Sequence, residues 1–271
     1  MSGSNRKTVV TFDLWETLIV DEPERDDIRI QMRCEALHKA FATLGLQLPY
    51  DDVKRGYEES APRLQEIWAH NEDVSTIEQI KLIIELASGK PAAMPTHPPS
   101  LKILEKAYVD SVFAFPPKLN EEAYPTLEHM RSEGYRIGLI SNTGRSPGEA
   151  LRKVLDGYGI LRFFDATIFS NEVGYRKPDK RIFQEAASRL ETNLENIVHI
   201  GDDPETDIWG AKEAGMRALL YEHKTADITE WQPNSLFVLS RQARHVPESE
   251  IRPDGRIGSL VEALNFVRTL E

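Results

Sequence analysis

The run Thr8-Val9-Val10-Thr11-Phe12-Asp13-Leu14 reads as a short β-branched strand, yet the next comparable strand signal is Arg136-Ile137-Gly138-Leu139-Ile140-Ser141. Everything between them has helical periodicity. Ile28, Met32, Leu37, Phe41 and Leu44 form one apolar stripe, and Val53, Tyr57, Leu64 and Trp68 form another. Ser75-Thr76-Ile77-Glu78 has the form of a capping box and opens a helix through Ile80, Ile83, Ile84 and Leu86. A proline-rich break (Pro91, Pro95, Pro98, Pro99) precedes one more amphipathic helix through Leu101, Leu104, Tyr108 and Val112, closed by Pro116-Pro117. Residues 22–114 are therefore expected to form a four-helix module, inserted into a chain whose first strand must rejoin the later ones.

After the insertion, strand and helix alternate. Asn120 can cap a helix through Leu127 and Met130 that stops at Gly134. Strand patterns follow at 136–141, 166–170, 197–200 and 217–221. Helical patterns lie around 148–155 and 178–190, and through Ile208, Ala211 and Ala214 up to Gly215. This βαβ rhythm predicts an α/β fold, a doubly wound parallel sheet that binds ligands beyond the carboxyl ends of its strands. The core would comprise 1–21 and 115–271, with 22–114 as a lid over the crevice. Leu236-Phe237-Val238-Leu239 reads as an added edge strand, and Leu260, Leu264 and Val267 as a covering helix. No chemistry is legible in 222–271.

Two of these strands end in carboxylates. Asp13 follows the first, and Gly201-Asp202-Asp203, with Asp207 beyond, follows Ile197-Val198-His199-Ile200. Like charges ~4 Å apart repel by about 4 kcal/mol at an effective dielectric of about 20, so a crevice holding several carboxylates calls for a cation. The formal charge of -11 disfavours nucleic acid and anionic membranes as partners. A small anionic substrate fits only where cations are concentrated locally. Cys34 is the sole cysteine, which leaves no internal disulfide and points to a reducing, cytosolic setting. The apolar run after Arg6 and Lys7 is too short for a signal segment, and no stretch approaches the roughly 20 apolar residues of a membrane span.

Four stretches, Asp13-x-x-x-Thr17, Ile140-Ser141-Asn142, Lys177-Pro178 and Gly201-Asp202-Asp203-x-x-x-Asp207, stand in this order at strand ends. Together they resemble the motifs of the haloacid dehalogenase superfamily, over about residues 8–221. The resemblance implies a Rossmann-like core with a helical, C1-type cap inserted after the first strand. It implies that Asp13 is a nucleophile forming a covalent aspartyl intermediate and that Ser141 and Lys177 bind the transferring group. It also implies a Mg²⁺ ion held by Asp13, Asp202, Asp207 and the backbone carbonyl of Trp15. Asn142, Thr143 and Thr17 are the accompanying substrate-binding candidates.

Residue chemistry supports these roles. A carboxylate attacks phosphorus once the phosphoryl oxygens are neutralised by cations and hydrogen-bond donors. Lys177 precedes a helix start, where its charge and the helix dipole both favour an anion. Hard Mg²⁺ prefers carboxylates and water. Asp203 has the least need of a functional role, because N-capping explains it.

The departure from the family pattern is Trp15. Phosphatases of this type carry a second aspartate at that place as general acid, and losing such a group costs about 10²- to 10⁴-fold. Glu16 is the nearest substitute carboxylate, although strand alternation points it away from Asp13. An aromatic residue there also resembles the 2-haloacid dehalogenases, which attack carbon without metal; a degenerate, ligand-binding member is a third reading. The acidic fourth motif favours a Mg²⁺-dependent phosphatase acting on a small phosphate ester, with slow turnover or a preference for good leaving groups. Arg25, Arg29, Arg33 and Arg145 are the candidate specificity residues, and the expected assembly is a monomer or homodimer.

Overall fold

The first strand, β1 (Val9–Phe12), is buried along its whole length, as an interior strand of a parallel sheet must be. A computed structural model of the protein describes residues 8–91, 94–222, 228–232, 235–242 and 245–269. Beyond β1 the chain turns so tightly that the Leu14 carbonyl accepts from both Leu18 N and Ile19 N, and it enters the short strand β2 (Ile19–Val20). Four helices follow: α1 (Pro23–Thr43), α2 (Tyr50–Trp68), α3 (Thr76–Ser88) and α4 (Pro98–Ala114). The return strand β3 (Lys118–Leu119) pairs antiparallel with β2, so both connections of the helical module run through one narrow neck. Strands of two residues carry no periodicity, and the sequence does not announce them.

The module has its own core of Leu37, Phe41, Val53, Ile80, Ile83 and Leu104. The capping box exists: Ser75 Oγ accepts from Glu78 N, and Glu78 Oε2 accepts from Ser75 N. At Gly56 an added Cβ would lie 2.6 Å from the Ile83 carbonyl, so α2 and α3 pack this closely only because position 56 lacks a side chain.

The remaining elements are α5 (Ala123–Ser132), β4 (Arg136–Ser141), α6 (Gly148–Gly157), β5 (Ala166–Phe169), α7 (Ser170–Val173), α8 (Lys180–Arg189), β6 (Ile197–Gly201), α9 (Gly210–Ala214), β7 (Arg217–Tyr221), α10 (Leu236–Gln242), β8 (Gly255–Ile257) and α11 (Glu262–Arg268). Asn120 stands before α5 as an Asx turn, its Oδ1 accepting from Glu122 N. The strands form one parallel sheet in the order β5-β4-β1-β6-β7-β8. Strand β1 has β4 on one side and β6 on the other, so the sheet reverses its winding there. The carboxyl ends of these three strands flank the resulting crevice.

The expected edge strand at 236–239 is corrected: these residues begin helix α10, and the edge strand is β8. A four-residue apolar run does not distinguish strand from helix. Ser235 decides locally, because its Oγ accepts from Val238 N and its carbonyl from Leu239 N. Among the described residues no helix is long and apolar enough to cross a membrane, and Cys34 is a buried free thiol.

Candidate active site

The backbone N–H of Asp13 donates to the Ile200 carbonyl at 2.8 Å, which continues the β1–β6 ladder and sets Asp13 beside the carboxyl end of β6. Asp207 reaches the same place from the π-helical segment Pro204–Trp209 that follows β6. A Cβ built on Gly201 would lie 2.3 Å from Asp207 Cγ, so this approach requires glycine. Single carboxylate oxygens of Asp13, Asp202 and Asp207 lie within 4.8 Å of one another.

Lys177 enters this cluster. Its Nζ donates to Asp13 Oδ1 (2.5 Å), Asp207 Oδ1 (2.6 Å) and the Ile140 carbonyl (2.9 Å). Asn142 braces the lysine backbone from both ends of its amide: Nδ2 donates to Lys177 O at 2.9 Å, and Oδ1 accepts from Lys177 N at 2.8 Å. His199, missed by the sequence reading, sits fully buried under Asp207, with Nε2 3.2 Å from Asp207 Oδ1 and Nδ1 2.9 Å from Thr11 Oγ1. Its signal was a polar residue paired across the sheet with another, since Thr11 and His199 are register partners.

Electrostatics follow from burial. Desolvation pushes the Asp13 carboxyl up to about 7, with the Lys177 charge opposing and Asp207 assisting. Burial alone would lower Lys177, but Asp13 and Asp207 overcome it and hold the ammonium above its ordinary range. Burial would raise Asp207, but Lys177 and His199 pull it well below the usual carboxylate range. Asp202 is raised by burial and by its acidic neighbours, against the pull of Arg241.

Arg241 comes from α10, in the segment where no chemistry was expected. Its Nη2 stands 2.7 Å from Asp202 Oδ2. Asp203 serves as a cap, as expected, its Oδ1 accepting from Glu205 N and Thr206 N.

The other candidates divide. Trp15, Asn142 and Thr143 line a crevice of about 790 Å³ together with Asp13, Lys177 and Asp202. Ser141 is fully buried at the end of β4, and its Oγ makes only a 3.4 Å contact with the Asn142 carbonyl. The Thr143 hydroxyl lies 3.3 Å from Asp73 Oδ2 and 3.1 Å from Ser170 Oγ. Thr17 is fully buried, and its Oγ1 has no hydrogen-bond partner among the described residues. The structure does not bring Glu16 to the crevice wall. Its φ of +59° breaks strand alternation and turns Oε1 toward Asp21 N (3.3 Å), while Oε2 is buried with no hydrogen-bond partner among the described residues and burial raises the carboxyl to about 7.

The helical insertion also reaches this part of the molecule through Asp73. Its Oδ1 accepts from Trp68 Nε1 (3.1 Å), and its Oδ2 accepts from Ser170 Oγ (2.5 Å) and from Arg176 Nη1 (3.4 Å). Asp73 N donates to the Gly174 carbonyl, and Arg176 N donates to the Asn71 carbonyl. Of the candidate arginines, Arg25 pairs with Glu22, and Arg29 pairs with Asp21 and Asp26. Arg33 and Arg145 are buried and line the crevice.

The donor set suits a hard divalent ion. Three clustered carboxylates face two cations, Lys177 and Arg241, and burial, with smaller contributions from the acidic neighbours, raises Asp13 and Asp202, an environment in which a divalent ion would favour the ionised carboxylates.

Comparisons with known proteins bear on the fold and the family. A Thermococcus onnurineus structure described as a HAD phosphatase superposes with a TM-score of 0.60 at 20% identity, covering 96% of this chain and 97% of that one. A 2-haloacid dehalogenase from Pseudomonas syringae pv. Tomato gives 0.62 at 21%, covering 98% and 100%. Among curated proteins, a glyceraldehyde 3-phosphate phosphatase of Methanothermobacter thermautotrophicus is 42% identical over 97 residues, 35% of this chain and 41% of that protein. A phosphoglycolate phosphatase of Cereibacter sphaeroides is 35% identical over 117 residues, 42% and 51% respectively. The matched stretches thus span about half or less of these relatives. Residues 7–215 match the haloacid dehalogenase-like hydrolase family as a whole. The chain is a member of the haloacid dehalogenase-like hydrolases.

Proposed function

We propose that this hydrolase is a Mg²⁺-dependent phosphatase acting on a small phosphate ester, with 22–114 as a C1-type cap. The observation that carries this reading is the meeting of Asp13, Asp202 and Asp207, with Lys177 bonded to two of the three. Oxygen ligands would come from Asp13, Asp202 and the Trp15 carbonyl. Both oxygens of Asp207 are engaged, by Lys177 and His199 on one side and Asp203 N on the other, which suits a group that fixes Lys177 more than a ligand. When bound, the divalent ion supplies positive charge that favours ionised carboxylates and neutralises phosphoryl oxygens.

In the proposed cycle an Asp13 oxygen attacks phosphorus, the O–P bond to the enzyme forms and the ester P–O bond breaks. Lys177, held in place by Asn142 and Asp207, offsets phosphoryl charge. Water then attacks phosphorus, releasing phosphate and regenerating the Asp13 carboxylate. Trp15 cannot give the departing alkoxide a proton, and the Glu16 carboxyl faces Asp21 N, so water supplies it and good leaving groups are preferred. Relatives described as glyceraldehyde 3-phosphate and phosphoglycolate phosphatases support a small phosphorylated substrate.

The test is hydrolysis of p-nitrophenyl phosphate with and without Mg²⁺, with Asp13→Asn as control. A loss on the order of 10³-fold or more is expected in the variant. Equal rates in variant and wild type would remove Asp13 from the mechanism. Trp15 favours the dehalogenase as second reading, and halide release from 2-chloropropionate in the presence of chelator would put it first.

A further inference from the structure

Two guanidinium groups on the cap side of the crevice have no carboxylate partner among the described residues. Arg33, 2% exposed, donates from Nε to the Tyr108 carbonyl at 2.7 Å and from Nη1 to Tyr57 OH at 2.9 Å. Arg145, 9% exposed, donates from Nη2 to Ser60 Oγ at 2.8 Å and the Tyr57 carbonyl at 3.1 Å, and from Nη1 to Tyr108 OH at 3.3 Å. Both charges share the same rings: Arg145 lies 4.3 Å from the Tyr57 centroid, and Arg33 lies 5.9 Å from it and 5.0 Å from that of Tyr108. Arg145 Nε is buried with no partner, and Arg33 Nη2 makes no hydrogen bond among the described residues.

An arginine keeps its charge at any physiological pH, and a buried charge ordinarily has a counter-ion. The neighbouring arginines obey this rule. Arg29 has Asp21 and Asp26, and Arg176 has Asp73. Arg33 and Arg145 instead meet only neutral acceptors, and both line the crevice that Asp13 and Lys177 share. Arg145 follows Asn142 by only three positions, and both line the same crevice as Asp13 and Lys177.

We infer that Arg33 and Arg145 form a second anion subsite that receives a carboxylate of the substrate. This rests on the phosphatase reading and narrows it to phosphate monoesters of small hydroxy acids. Two N–H groups on Arg33 Nη2 and one each on Arg33 Nη1, Arg145 Nη1 and Arg145 Nε make no hydrogen bond among the described residues, and a planar carboxylate matches the planar guanidinium fork.

The test uses the full chain with Mg²⁺ and four probes: p-nitrophenyl phosphate, phosphoglycolate, ethyl phosphate and ethylene glycol bisphosphate. The expected wild-type result is a kcat/KM at least tenfold higher for phosphoglycolate than for ethyl phosphate, carried mainly by KM. Arg145→Gln and Arg33→Gln are expected to shrink that ratio at least threefold, with Arg145→Lys keeping more of it. Hydrolysis of p-nitrophenyl phosphate by a wild type with no such preference overturns the subsite alone. So does an unchanged ratio in variants whose rates fall equally on both esters, because a purely structural clamp behaves that way. A preference for the bisphosphate overturns the carboxylate assignment. Failure to hydrolyse any of the four sinks the phosphatase reading and this inference with it.

Discussion

Asp13 and Lys177, both buried, meet at 2.5 Å, and the same ammonium reaches Asp207 at 2.6 Å. Lys177 is thus the only thing in contact with both carboxylates that carries positive charge among the described residues. Lys177→Met would leave two buried acids facing each other, at a cost of about 3–5 kcal/mol. Chemical denaturation in chelator measures the loss, and added Mg²⁺ is expected to recover part of it. Unchanged stability would contradict this arrangement.

Burial raises Asp13 from 3.8 and Glu16 from 4.5, both to about 7. Groups whose folded pKa is raised stabilise fully below the unfolded value, and that stability is lost as pH rises through the folded one. Thermal melts in chelator are therefore expected to fall from pH 5 to pH 8, and Mg²⁺ to flatten the Asp13 share. A Tm that climbs over this window would contradict the burial argument.

Trp15→Asp would place a carboxyl where leaving-group protonation is needed. The expected gain is about 10²-fold on alkyl phosphates, with far less on p-nitrophenyl phosphate, whose leaving group requires no proton. Steady-state kinetics on both esters check this. An equal gain on both would show that the acid acts otherwise. Glu16→Gln is expected to change alkyl phosphate turnover less than threefold, since its carboxyl faces Asp21 N.

Arg241→Gln would free Asp202 from its competing cation, a partly exposed pair worth about 1 kcal/mol. The Mg²⁺ concentration that half-saturates a thermal shift is expected to fall severalfold. A higher half-saturation would show that Arg241 assists the ion instead of competing with it.

The parallel sheet and the four-helix insertion were legible because both are written in periodicity, and Asp13, Lys177, Asp202 and Asp207 because each follows a readable strand or precedes a helix. What escaped has no local signature. His199 is one polar residue within a strand, and Arg241 reaches Asp202 from α10, across 39 positions of chain. The run at 236–239 misled because four apolar residues fit either element, and β8 was hidden because Gly255-Arg256-Ile257 has no apolar repeat.

Arg176 N donates to the Asn71 carbonyl, while its side chain stacks on Trp68 at 4.0 Å. The next residue is Lys177. The helical insertion therefore bears directly on the residue next to Lys177, so any displacement of that insertion would be transmitted to the ammonium beside Asp13.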